Sequence, residues 1–530
     1  MFADSISASR PAANRAAAME RSWWLFLLVL GLPFLLRLGS APLFDVDEGA
    51  FAEASREMLF SLDLGHTTLN GTDRFDKPVA VYWLQAALMA VLGQNEWAAR
   101  ATSALCAWVM CITVAQFARE QWGREAGWWS AGMLATSAGM LIIGRAATAD
   151  ALLHLCLALT ALDLCRHLQS GRMAPLRRAA VWIGLGLLAK GPVALLLPGA
   201  AWLLWLISSR RAPQARSAWR ALLDPLAWAL LLVVSLPWYI YAWVRHGQAF
   251  IEGFLLKHNV ERFSAPMEGH AGGLLYFVIL LPLLWLPWSG LLVPVVRRIA
   301  FHWAEESSRF FLLWAGFVVV FFSLSGTKLP HYVLYANVPL ALLMARQAVH
   351  SGPWMRAALW LGMLVWAAVL IGVPWSVAHW AQWVSDPLYR SLALHAQAPD
   401  GFGWSAMAVG SALLCAVLMR GPAFSVRALS GAGALALFMV SMTWPWAAET
   451  QQGPVKRAAM ASRQHPGQAV QWNVHWPSVG FYRQDPVPRR PPQPGEMAFV
   501  RWDRWEPSDD FVILYREHGV GLVRMKEVAP

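Results

Sequence analysis

Apolar runs separated by short polar links organise the first 446 residues of this chain. Most of the runs approach about twenty residues, the length of α-helix that crosses a bilayer core. The pattern predicts spans near residues 23–39, 97–118, 125–143, 148–168, 177–190, 192–209, 225–245, 273–296, 309–325, 331–347, 356–376, 403–419 and 427–446. That makes a multi-pass α-helical membrane protein with about thirteen crossings. One further apolar segment, 79–93, is short enough to be either a span or a helix lying in the interface. Arginine placement decides between the two. Arg10, Arg15 and Arg21 precede the first span, and later arginines gather in the links at 119–124, 166–178, 210–220 and 297–309. All of them fall on the cytoplasmic side if 79–93 does not cross, as the inward bias of Lys and Arg requires. The N-terminus is then cytoplasmic, and the first span is read as a retained helix because no small-residue cleavage site follows it.

From residue 447 the pattern changes. Pro, Gln and Arg become frequent, residues 468–482 and 509–525 read as short β-strands with turns, and 485–495 form a stiff proline-rich loop. Two parts are expected: residues 1–446 in the membrane, with a first outer loop at 40–96, and a small α/β domain at 447–530 on the outer side.

Charge is scarce in a chain that is 57% hydrophobic and 14% charged, with mean hydropathy +0.42. Loop 40–96 nevertheless gathers Asp45, Asp47, Glu48, Glu53, Arg56, Glu57, Asp63, Asp73, Arg74, Asp76 and Lys77. Ionisable groups held against a bilayer are costly and point to function. Residues 47–60 predict an amphipathic helix, with Asp45 or Asp47 as its cap, Glu48 in capping-box spacing to Asp45, and Glu53–Arg56 as a surface pair. The cluster Arg74, Asp76 and Lys77 before Pro78 goes beyond capping. A carboxylate beside cations at the outer leaflet suits transfer from a lipid-linked phosphate: the cations hold the leaving group and the carboxylate takes the proton of an acceptor hydroxyl. Arg145, Lys190, Arg262 and Lys328 also lie at outer ends, as does Asp150.

The net charge of +11 raises nucleic acid as a partner, but its arginines sit in the links between spans, which argues against a phosphate-binding face and for membrane lipids. Five cysteines lie within predicted spans without metal or CxxC spacing, so neither a disulfide framework nor a zinc site is indicated. His258, His270 and His331 fall outside; Asp76 and His270 are the candidate ligands for a divalent metal, and no other cofactor is indicated. Two other functions compete. A transporter of lipid-linked sugar would need ionisable residues such as Asp163 along a path through the bilayer, and a scaffold would act through residues 447–530 alone.

The segments DEGAFAEASREM and NGTDRFDKPVAVYW, followed by NEWAARATSALCAW, GRAATADALL, LLAKGPVALLLP, HNVERF, SGTKLPHYVLYANVPLALLMAR and PSVGFY, resemble the ArnT-like and protein O-mannosyltransferase-related membrane glycosyltransferases of the GT-C class. The resemblance implies a thirteen-helix enzyme of the bacterial inner membrane with a periplasmic cavity, using a polyprenyl-phosphate sugar with inversion. The acceptor would be lipid A, another envelope glycolipid, or a protein. By motif position Asp47 matches the catalytic aspartate and Lys77 the lysine near the donor phosphate. Glu48, Arg56, Asp150, Lys190 and Arg262 join the substrate-binding set, and Lys328 and Tyr332 match a late outer motif that helps close the cavity. Phe51 stands where the ArnT-like pattern has Tyr, FDKP replaces FEKP, and HNVERF departs from the EHxxRF form.

Overall fold

The computed structural model describes residues 20–209, 215–265 and 272–527; Arg10, Arg15, Arg210, Arg211 and His270 lie outside the described residues. The helices that matter for the site are α1 (Asp47–Ser61), α2 (Ala80–Leu92), α3 (Glu96–Trp122), α4 (Asp150–Ser170), α5 (Met173–Lys190), α6 (Pro225–His246) and α7 (Glu306–Leu324). Among the described residues six helices are long and apolar enough to cross a membrane, and three more, including α2, are apolar but shorter. The exposed faces carry Val233, Val244, Leu361 and Leu364, side chains that suit lipid rather than water.

α2 has 13 residues, about 20 Å of helix, too little to cross a core of about 30 Å. It packs on α1 and α3. Several expected runs are interrupted. The run 125–143 divides at Ser137, and 273–296 becomes three short pieces, Tyr276–Leu284, Ser289–Leu291 and Leu292–Arg297. Pro282, Pro287 and Pro294 account for the second case by removing backbone donors within the run. Residues 246–272, expected as a long loop, are helical where described: a π-helical stretch Ile251–Glu261 continues into Arg262–Ser264.

The first outer loop begins with α1 and turns in a small hairpin, β1 (Thr68–Leu69) and β2 (Thr72–Asp73). Asn70 and Gly71 at its tip both have positive φ, 53° and 77°, the conformation that an Asn-Gly hairpin turn supplies.

The composition change at 447 is not a structural boundary. A helix, α8 (Trp444–Ser462), runs straight through it. Beyond it lie β3 (Ala469–Gln471), α9 (Ser478–Arg483), β4 (Met497–Arg501), β5 (Phe511–Glu517) and β6 (Val520–Met525), in one sheet ordered β3-β4-β6-β5. Only β3–β4 is parallel. The segment PSVGFY, expected as strand, is α9. Asn473 with φ 56° turns the chain out of β3, and buried Val479, Phe481 and Tyr482 seat the helix.

α9 lies against α1. Asp45 Oδ1 accepts from the Ser478 amide at 2.8 Å, and Ser478 Oγ is 2.5 Å from Oδ2. The Tyr482 hydroxyl accepts from the Leu43 amide at 2.7 Å. A Cβ at Gly480 would stand 2.5 Å from Glu53 Oε1 and 2.6 Å from Asn70 Oδ1, so only glycine permits this approach. The cover corrects one expectation: Glu53, Arg56 and Glu57 are buried, not a surface pair.

Burial raises the Asp45 pKa to about 7 against the opposing bonds from Ser478, and burial raises that of Glu53 to about 7 against Arg56. An acid whose pKa rises on folding holds its proton more tightly in the folded state, so its stabilisation is present at low pH and is lost as pH rises toward 7. Neutral Asp45 keeps the latch, because Oδ1 still accepts from the amide and Oδ2–H can donate to Ser478 Oγ. Thermal unfolding of Asp45→Asn in detergent, followed between pH 4.5 and 7.5, should therefore show a shallower loss of stability with rising pH than the parent protein.

Candidate active site

Two oppositely directed helix ends bring the first pair of charges together. α4 and α5 form a hairpin turning at Gly171, which has φ 66°. Asp150 is the first residue of α4 and Lys190 the last of α5. Roughly equal arms on the two sides of the turn place them side by side, with Nζ 2.5 Å from Asp150 Oδ1. Each charge sits at the helix end whose dipole favours it. Tyr335 OH donates to the same oxygen at 3.0 Å, and His331 Nε2 lies 3.5 Å from it. The Lys190 ammonium also lies 5.8 Å and 5.7 Å from the ring centres of Tyr332 and Tyr335.

The second group comes from the segment after the hairpin. Asp76 Oδ2 accepts from Arg74 at 2.9 Å, while Oδ1 takes Lys77 at 2.5 Å and lies 3.0 Å from His258 Nδ1. Burial alone would raise the Asp76 pKa; Lys77 and Arg74 hold it well below the usual range. Burial lowers the Lys77 pKa against the pull of Asp76, and Lys190 and Arg262 lower it further, so three cations act on one place. Arg262 hydrogen-bonds Tyr332.

Asp47 stands between the groups. It is the first residue of α1, and among the described residues its carboxylate has no hydrogen-bond or ion-pair partner. It is open to solvent yet recessed in a cavity of about 330 Å³ that is also lined by Asp150, His331, Leu284, Leu334 and Trp444. Burial, then Asp150 and Asp76, raise its pKa, against Lys190 and Lys77. A larger cavity of about 470 Å³ under loop 392–400 lacks this chemistry; its Arg457 is already held by Glu449 and Glu517.

Other expected site residues are committed elsewhere. Glu48 receives Arg100 on both oxygens, 2.8 Å and 2.7 Å, and the Phe44 and Ala147 amides as well. Arg56 makes a fork to Glu53 at 2.7 Å and 2.8 Å. Arg145 is buried on the carbonyls of Pro33, Phe34 and Leu36, and Lys328 on those of Ser323 and Ser325 where α7 ends. Both are helix-end cations, satisfying carbonyls left without intrahelical donors. Both oxygens of Asp76 are engaged, and His270 lies outside the described residues. Sequence reasoning passed over Arg100 and Tyr335. Arg100 sits about one turn into a long apolar helix, the one signal that could have found it.

Residues 76–241 match the family model of dolichyl-phosphate-mannose-protein mannosyltransferases. Over 435 residues the chain is 31% identical to the undecaprenyl phosphate-alpha-4-amino-4-deoxy-L-arabinose arabinosyl transferase 2 of Pseudomonas fluorescens strain Pf0-1, covering 76% of each protein. This chain belongs to that glycosyltransferase family. The corresponding transferase of Pseudomonas aeruginosa strain UCBPP-PA14 is 33% identical over 343 residues, 62% of this chain and 60% of that protein. The fold matches the crystal structure of ArnT from Cupriavidus metallidurans bound to undecaprenyl phosphate, with TM-score 0.80, 21% identity, and coverage of 94% and 97% of the two chains. The archaeal oligosaccharyltransferase AglB from Archaeoglobus fulgidus follows at TM-score 0.51 and 11% identity, over 89% of this chain and 65% of that one. As a member of the family the chain is an enzyme and a multi-pass protein of the bacterial inner membrane.

Removing one partner of a buried ion pair leaves an uncompensated charge, worth about 3–5 kcal/mol. Arg100→Met and Glu48→Gln should each lower thermal stability by that order. Arg100→Lys should fail to restore it, because an ammonium cannot reproduce the forked contact. Thermal unfolding of the detergent-purified variants checks all three.

Proposed function

We propose that this glycosyltransferase moves a sugar from undecaprenyl phosphate to lipid A or another envelope glycolipid at the periplasmic face. The observation that carries the reading is Asp47: an acid without a partner among the described residues, recessed within the electrostatic influence of two lysines that other carboxylates already hold in place. The names of the relatives, and the undecaprenyl phosphate bound to the Cupriavidus structure, support the donor class. 4-Amino-4-deoxy-L-arabinose is accordingly the first sugar to test.

In this reading Lys77, Lys190 and Arg262 receive the donor phosphate, with Asp76 and Asp150 fixing the two lysines and Tyr332 supporting Arg262. The apolar wall at Leu284 and Leu334 faces the polyprenyl chain. Asp47 accepts the proton of the acceptor hydroxyl as its oxygen attacks the anomeric carbon. The bond from that carbon to the phosphate oxygen breaks, and its electron pair leaves with undecaprenyl phosphate, which the cations stabilise. One displacement inverts the anomeric centre. Glu48 and Arg56 hold the scaffold through their ion pairs, and Lys328 closes the end of α7. Catalysis belongs to the membrane part of the chain, and the residues beyond Ser462 form a periplasmic cover over α1. The N-terminus is cytoplasmic, in keeping with the arginines at the far end of α4, where Asp163 is held by Arg166, Arg178 and Trp182. That pairing, about 20 Å along the helix from Asp150, also speaks against Asp163 as a step on a transport path.

The mannosyltransferase model covers Lys77, Asp150 and Lys190, which are donor-side residues, so a protein acceptor is the second reading. The test is mass spectrometry of lipid A and other envelope glycolipids from a deletion strain complemented with wild type or Asp47→Asn. The expected outcome is a sugar lost on deletion and restored by wild type alone, with the variant folded and inserted. Loss of the base should lower the transfer rate by about 10²–10⁴-fold. Rescue by Asp47→Asn would remove Asp47 from the mechanism, and an unchanged glycolipid profile with an altered glycoprotein would favour the second reading.

A further inference from the structure

A second cluster of metal-ligating side chains lies behind the phosphate-facing segment. His66, Asp73 and His246 each present one ligand atom, and these atoms lie within 4.8 Å of one another. His66 and Asp73 come from the hairpin loop, His246 from the last turn of α6. The two imidazole rings are 4.5 Å apart. Nε2 of both histidines is shielded from solvent and has no hydrogen-bond partner. His66 Nε2 lies 3.1 Å from Asp73 Oδ1, an ion-pair distance. A buried, unpaired imidazole nitrogen is unfavourable unless something takes its lone pair.

We propose that His66, Asp73 and His246 bind a divalent transition-metal ion, zinc first, with water in the fourth position. Two imidazoles and one carboxylate are a zinc donor set, with bonds of about 2.0–2.2 Å. Such bonds bring tetrahedral ligands to about 3.4 Å from one another, a contraction that side-chain rotation can supply. This cluster is separate from the Asp76–His258 contact.

The surroundings say what the ion does. Trp238 Nε1 donates to the Gly65 carbonyl at 3.0 Å, Arg245 pairs with Asp63 at 2.6 Å, and Phe75 packs edge-on to His246 at 5.0 Å. Trp238, Arg245 and His246 thus present one side of α6 to the loop at helical spacing. Asp73 immediately precedes Arg74 and stands four residues before Lys77. The ion fastens the phosphate-facing segment to a membrane-crossing helix, and this assignment stands whether or not the proposed donor is right.

The test uses full-length protein in detergent, stripped with a chelator, dialysed against zinc chloride, freed of loose metal by gel filtration and assayed by elemental mass spectrometry. Wild type should retain one more zinc per chain than His246→Ala or Asp73→Ala, and zinc should raise its melting temperature but not theirs. Asp73 is exposed, so its variant tests binding without disturbing a packed residue. Its dissociation constant should weaken by at least about tenfold. Cobalt in place of zinc should give the visible absorption of a tetrahedral site in wild type alone. Equal zinc content in wild type and both variants, or no zinc in wild type, would overturn the assignment.

Discussion

The position of the candidate base depends on a buried ion pair, Arg100 with Glu48, whose carboxylate end borders the cavity. Arg100, fully buried in an apolar helix, donates to the carbonyls of Leu38, Ala41 and Pro42 and to both oxygens of Glu48. Glu48 in turn takes the amides of Phe44 and Ala147. One pair thereby joins the exit of the first apolar segment, the start of α1, and the strand of chain leading to Asp150. Asp47 is the neighbour of Glu48, so anchoring one carboxylate sets where the other points. Five hydrogen bonds on one guanidinium explain how so costly a group is tolerated there: a buried charge is costly unless its donors are satisfied.

The same accounting separates the acids by role. Asp76 and Asp150 are paired with lysines, which holds two flexible ammonium groups in place before any phosphate arrives. Asp47 has no partner among the described residues, which is what the proposed base requires. At an effective dielectric near 20, a unit charge pair at about 4 Å is worth about 4 kcal/mol, so even partly neutralised lysines bind a phosphate strongly when several converge. Fixing them first lowers the entropy lost on binding. The cover formed by residues beyond Ser462 contributes differently. It packs over Glu53 and Arg56 of α1, the helix whose first residue is Asp47, while the hairpin Thr68–Asp73 takes Glu57.

Much of this was legible in local pattern. The acid and lysine cluster of loop 40–96, the Asn-Gly turn, the short helix α2, and the termination of α5 by Gly191 (φ 92°) all follow from nearby residues. What sequence could not give was long-range. Arg56 reads as a surface cation until α9 is laid over it. Arg145 reads as an outer-end cation until the carbonyls of a helix end more than a hundred positions earlier are found beneath it. Arg100 reads as an anomaly, and only the fold shows that its partner stands 52 positions earlier. Local spacing describes what a residue offers; the partner that takes up the offer comes from elsewhere in the chain.

Phe51 shows where reaction class and substrate identity divide. In place of the family's tyrosine it stacks on Tyr82 at 5.4 Å, with Arg74 5.6 Å from its ring centre. It therefore helps hold the phosphate-facing segment without offering a hydroxyl to a substrate. In the proposed displacement the leaving phosphate and the proton acceptor are common to any sugar carried on this lipid. Discrimination among sugars depends instead on buried groups that hydrogen-bond particular substituents, because a missing partner there is far more costly than a misplaced methyl group. Under the proposed displacement Asp47 and Lys77 keep their positions, and the departures fall on Phe51, Asp76 and the HNVERF segment beside them.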